Sequence, residues 1–257
     1  MRAAARIVAE TDARGRTRLS VLHGEAPLLL RRTGVGPDVT VHLVGGAAGP
    51  LGGDDLRLDV EVGPGARLRV RSVAASLALP GRSADRSRMR VRASVHAGAL
   101  LHWHPEPLIA AAGCDHDAVT EVEVARGGAL LWRDDVVCGR HGEMPGDVRT
   151  DTTIRYAGRT VYRHHLAVGP AATGWSGAAV LGGGRAIGSL VVVDPAWEVD
   201  GPPPRVLGRD AALMPLAGPA VLAIALGADW RPVRALLDPL ADHPFGEPAG
   251  AHLPAAA

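Results

Sequence analysis

A phrase made of a strand, a glycine turn and a second strand returns three times in this chain, and it limits what the chain can fold into. The turns are Gly65-Ala66, Gly98-Ala99 and Gly128-Ala129, spaced about 30 residues apart. Apolar and polar residues alternate beside them. Leu56, Leu58, Val60 and Val62 interleave with Arg57, Asp59 and Glu61, and Met89, Val91, Ala93 and Val95 with Arg88, Arg90, Arg92 and Ser94. Period-two alternation marks a half-buried strand. The recurrence predicts stacked hairpins of a layered or helically wound, all-β architecture. Locally, Gly63-Pro64-Gly65 reads as a hairpin turn between its two flanking strands.

The same alternation continues through Thr17, Leu19 and Val21, and through Val39, Val41 and Leu43 after a turn at Gly36-Pro37. Residues 149–156 and 159–168 form a hairpin about Ala157-Gly158, and 186–193 and the apolar run 219–226 read as further strands. One short helix is expected near the C-terminus, over 229–240. Trp230, Val233, Leu236, Leu237 and Leu240 fall at helical spacing there, Asp229 can cap it, and Pro232 sits in the first turn where proline is tolerated. No linker divides the chain, so residues 1–257 are expected to form one domain, ordered over about 5–243 with a flexible tail from 244.

Composition narrows the function. Aromatic residues are 3% of the chain, so the core must rest on Val, Leu and Ala. The formal net charge is +1, which argues against a nucleic-acid binder. All the basic residues are Arg. The two cysteines, Cys114 and Cys138, form no C-x-x-C pair and fit a reducing compartment, so a cytoplasmic protein is expected. No signal peptide and no membrane span are expected.

Several groups carry possible chemistry. On a strand, His102, His104 and Glu106 would share one face, as ligands of a metal-dependent, cupin-like enzyme. Only Pro105 separates His104 from Glu106, which is too short for the cupin pattern, and Pro105 and Pro107 break a regular strand. Cys114-x-His116 and Cys138-x-x-His141 could together supply four ligands. The loop from Gly45-Gly46 to Gly52-Gly53-Asp54-Asp55 lacks the Lys-Ser/Thr and the helix of a phosphate-binding loop, and reads as a flexible turn carrying two carboxylates. Arg140, His141 and Glu143 sit in a Gly-flanked loop. There is no G-x-S-x-G nucleophile motif.

Taken in order, these segments resemble the UreD (UreH) family of urease accessory proteins. The resemblance rests on Gly45-Gly46 to Gly53-Asp54, on Val62-Gly63-Pro64-Gly65-Ala66, and on Gly98-Ala99-Leu100-Leu101-His102-Trp103-His104-Pro105, with Gly127-Gly128-Ala129 and Gly139-Arg140 to Gly142-Glu143 after them. His102 departs from the Glu usual there. The resemblance implies an elongated, mostly β fold with helices near one end, and a non-catalytic scaffold in nickel-dependent urease maturation, working with UreF, UreG and apo-urease. Nickel would pass through an internal passage, with no tightly bound cofactor. Asp54 and Glu143, and less so Asp55, are expected to line that passage, because oxygen ligands release Ni²⁺ readily. Trp103, Pro105 and Arg140 are expected to shape the body or its partner contacts, and His102 and His104 are weaker metal contacts.

Overall fold

The computed structural model describes residues 1–34, 38–82 and 85–245. Its strands are β1 (Arg2–Thr11), β2 (Thr17–Gly24), β3 (Leu28–Thr33), β4 (Val39–Gly45), β5 (Asp55–Val62), β6 (Arg67–Ser72), β7 (Ser76–Ala78), β8 (Ser87–Val95) and β9 (Leu100–His104). They continue with β10 (Leu108–Ala110), β11 (Asp115–Val124), β12 (Ala129–Val137), β13 (Asp147–Tyr156), β14 (Arg159–Val168), β15 (Ala186–Val193), β16 (Arg205–Gly208), β17 (Ala211–Pro215) and β18 (Ala220–Gly227). One α-helix among the described residues, α1 (Trp230–Ala241), follows. Strands hold 55% of the described residues and helices 6%, so the expected all-β class with one late helix is what forms.

Two sheets face each other. The first runs β14-β13-β11-β8-β5-β1-β2, and the second runs β16-β17-β18-β15-β12-β9-β6-β4-β3. In the first sheet β5 pairs in parallel with β1 and β8, and β8 with β11. In the second, β6 pairs in parallel with β4 and β9, and β9 with β12. From β4 to β13 the chain therefore winds between the sheets, giving a solenoid-like layered body.

This corrects the hairpin expected at Gly63-Pro64-Gly65. β5 and β6 belong to opposite sheets and never pair. The turn is a corner, because both flanking strands direct their apolar face into the same inter-sheet core. Its backbone matches the next corners: Ala66, Ala99 and Gly128 donate their N–H to Gly63, His96 and Ala125. Gly65, Gly98 and Gly127 take φ of +70°, +70° and +78°, a region that glycine enters without strain. The third corner thus pivots on Gly127, one residue before the Gly128 of the sequence pattern. The hairpin between β13 and β14 forms as expected, through Ala157 and Gly158.

The largest core fills the space between the sheets, with Ile7, Leu58, Val60, Val95, Val122 and Ile154 facing Leu68, Val70, Leu101, Trp103, Leu130 and Trp132. Helix α1 covers the outer face of the second sheet, where Val233, Leu237 and Leu240 pack on Leu190, Val192 and Ala223. Asp229 caps it by accepting from Arg231 N–H. No described helix is long and apolar enough to cross a membrane. Of the tail expected to be flexible, Phe245 packs edge-on against His243, and residues from 246 on lie outside the described residues. So does the turn at Gly36-Pro37.

Candidate functional site

The inter-sheet core is solid near the glycine corners and open at its other end. There the inward positions carry small or polar side chains, among them Ser72 on β6, Ala118 and Thr120 on β11, and Thr150 and Thr152 on β13. With so few aromatics to fill it, the space remains a cavity of about 380 Å³. Gly45, Ala47–Pro50 of the loop after β4, and Val73–Leu77 line it at the end away from the glycine corners, where the chain opens to the surface. Trp103, Trp132, Leu56 and Val91 form much of its wall.

Asp134 on β12 faces this cavity. Its Oδ2 accepts hydrogen bonds from Trp132 Nε1 at 2.9 Å and from Thr152 Oγ1 at 3.2 Å. Oδ1 accepts none among the described residues. Burial, aided by the nearby Asp135 charge, pushes the carboxyl up to about 6 against the pull of those two donors. Its proton is therefore held to higher pH than that of an ordinary aspartate. His116, on the cavity wall, shares a 2.8 Å hydrogen bond with Ser87 Oγ. Burial, the largest influence, holds it down at about 4, so it is a neutral imidazole.

The sequence reading passed over Asp134, taking 130–137 as a plain strand. The signal was there. Leu130, Trp132, Val136 and Cys138 fall on one face, and Asp134 is the acid set in that apolar register.

The other expected site residues are placed as follows. Asp54 is buried, and its carboxylate accepts the Met1 amine and Leu51 N–H, each within 3 Å. It braces the loop at the cavity mouth without reaching the cavity, so that loop is not the flexible turn its glycines suggested. Asp55 pairs with Arg90. Glu143 takes three hydrogen bonds from Arg140, which hold its carboxyl down at about 2. None of the three lines the cavity, so their expected passage-lining role does not extend to it.

Trp103 and Pro105 do line it. Trp103 points inward, while its neighbours His102 and His104 point to the outer face of the second sheet, rings stacked 6.0 Å apart. The strand ends at His104, and Glu106 turns back to the cavity wall with its N–H donating to Ser72 Oγ. The proline bend thus parts Glu106 from the two imidazoles, and the cupin-like trio does not assemble. Cys114 and Cys138 are buried among apolar side chains while His141 is exposed, so that foursome does not form either. Among the described residues no three His, Cys, Asp or Glu are grouped to hold a metal ion.

On the same outer face, Arg133 is almost fully buried and grips Asp135 with two hydrogen bonds of 2.8 and 2.9 Å. Asp135 also accepts Trp230 Nε1, and Arg133 reaches Asp238, both from α1. The strand that carries Asp134 inward thus anchors the helix outward.

A family model described as UreD urease accessory protein matches residues 1–252. The Urease accessory protein UreD of Streptomyces coelicolor is 48% identical over 240 residues, covering 93% of this chain and 94% of that one. Urease accessory protein UreD 3 of Streptomyces griseus is 47% identical, covering 93% and 95%. The Urease accessory protein UreD of Parafrankia is 42% identical, covering 94% and 88%.

Proposed function

The chain belongs to the UreD family of urease accessory proteins, and on that premise we propose that it serves urease maturation as a non-catalytic scaffold whose inter-sheet cavity conducts nickel. In this reading it joins UreF and UreG on apo-urease in the cytoplasm, and no cofactor stays bound to it. The observation that carries the reading is the cavity itself, whose largely apolar wall carries Asp134 deep inside and Glu106 beside the mouth. An apolar wall gives a hydrated cation no place to rest. Asp134 offers a single oxygen with its partner oxygen already engaged, and a lone carboxylate oxygen holds a divalent cation weakly enough to release it. A closed His/Cys cage would retain the ion.

Glu106, on the wall beside the mouth, is the entry carboxylate in this reading. Asp54 and Glu143 act on the passage indirectly, by bracing the loops around Leu51 and Arg140. Complementation tests the proposal. A urease operon lacking its own UreD gene, supplied with this chain, yields nickel-loaded active urease if the reading holds. Nickel-free urease, from a strain in which the chain is soluble and bound to the accessory proteins, contradicts it.

A further inference from the structure

The outer face of the second sheet carries a row of two arginines and two imidazoles, and neither arginine has an ion-pair partner among the described residues. Strand register sets Arg31 beside His42, His42 beside Arg71, and Arg71 beside His104. Neighbouring strands lie about 4.8 Å apart, so the row spans about 14 Å. One step along the strands, Arg67 and Arg69 share Asp38, which accepts from both. Neither Arg31 nor Arg71 has such an acid among the described residues, and His42 shares a 2.6 Å hydrogen bond with Thr33 Oγ1. Among the described residues the Arg31 side chain donates to the Leu30 carbonyl alone, and the exposed Arg71 side chain has no hydrogen bond or ion pair. The nearest carboxylate to His104 is Asp238, at 3.9 Å, and Asp238 already serves Arg133 and Arg234.

The imidazoles register the positive field. After burial, the charges of Arg69, His104 and Arg71 push His102 down to about 3. After burial, Arg133 and then Arg71 also lower His104, against Asp238 and Asp135.

The row lies at the cavity mouth. Ser72 follows Arg71, Pro105 follows His104, and Gly45 closes the strand of His42; all three line the cavity. On the Arg71 side of the mouth a free divalent cation meets like charge before it reaches Glu106 on the wall. We propose that the row Arg31–His42–Arg71–His104 is the docking surface for an acidic segment of a partner protein, seated beside the mouth. The mouth's importance rests on the passage reading, whereas the charge complementarity stands without it. Two arginines on neighbouring rungs suit bidentate carboxylates, and the docked acid also neutralises the rim for an incoming cation. A nucleic acid is the poorer fit, since the chain's net charge is +1 and the row has only two free arginines to spend on phosphates.

The test is fluorescence anisotropy of a labelled deca-glutamate peptide on the full chain. Binding is expected to weaken about tenfold in Arg31→Glu/Arg71→Glu, and to fall as salt rises from about 50 to 200 mM. Arg92→Glu, on the exposed face of the other sheet where Arg92 pairs with Glu121, is expected to bind as the unmodified chain does. Arg31→Gln/Arg71→Gln, with far-UV circular dichroism unchanged, guards against misfolding and is expected to weaken binding in the same direction. Absence of peptide binding, equal binding by the Gln double variant, or tighter binding of a single-stranded RNA decamer through the same arginines overturns the proposal. None of these results depends on nickel delivery, which complementation tests separately.

Discussion

The indole of Trp103 lies flat on that of Trp132, ring centres 4.7 Å apart and planes within 4°. The pair joins β9 to β12 on the inner face of the second sheet, and Trp132 in turn donates to Asp134. The stack thus sets the cavity wall and steadies the carboxylate. Trp103→Ala should cost about 3–5 kcal/mol, the usual penalty for emptying a large buried site. Urea unfolding measures it, and a loss below about 1 kcal/mol would remove the stack from the account.

Asp134 gives stability a pH dependence of definite sign. Its folded value of about 6 lies above the ordinary 3.8. The folded state therefore holds more protons between those values, and stability falls as pH rises across that window. The loss is complete above it. Asp134→Asn keeps an acceptor for Trp132 and Thr152 and removes the charge. At pH 7.5 it should be more stable than the unmodified chain by on the order of 2–3 kcal/mol, with no gain near pH 4. Urea midpoints at the two pH values decide.

His116 has the opposite signature. Its folded value of about 4 lies below the ordinary 6.5, so the unfolded chain takes up a proton first as pH falls from 6.5 toward 4, and stability is lost over that window. His116→Asn should lose less melting temperature between pH 7 and pH 5 than the unmodified chain. Calorimetry at both pH values checks it.

Helix α1 is held by the charge network beneath it. Arg133→Met leaves Asp135 buried without its bidentate partner, and should cost about 3–5 kcal/mol. Arg133→Met with Asp135→Leu should recover most of that loss. Guanidinium unfolding of both variants measures it, and equal destabilisation would assign the cost to packing alone.

The strands were legible because alternation is local, and Asp229 announced its helix for the same reason. Pairing was not local. A tight glycine turn between two alternating strands has one sequence pattern whether the strands pair or split between sheets, so Gly65 read as a hairpin when it is a corner. The recurrence of that corner at Gly98 and Gly127 held the better clue, since stacked parallel rungs need repeated corners. The site was less legible. Asp54 and Glu143 stood out in glycine-rich motifs, yet their carboxylates brace backbone and Arg140. Asp134 was concealed inside an apolar strand, and its environment depends on Thr152 and Trp132, which only the facing sheets bring together.

The passage is tested most directly by plugging it. Ala118 lines the cavity, so Ala118→Phe fills space there without altering the outer faces of either sheet. Nickel per urease active site should fall to the level seen without the chain, while the variant still co-purifies with apo-urease and the accessory proteins. Full nickel loading through the plugged variant would contradict the account.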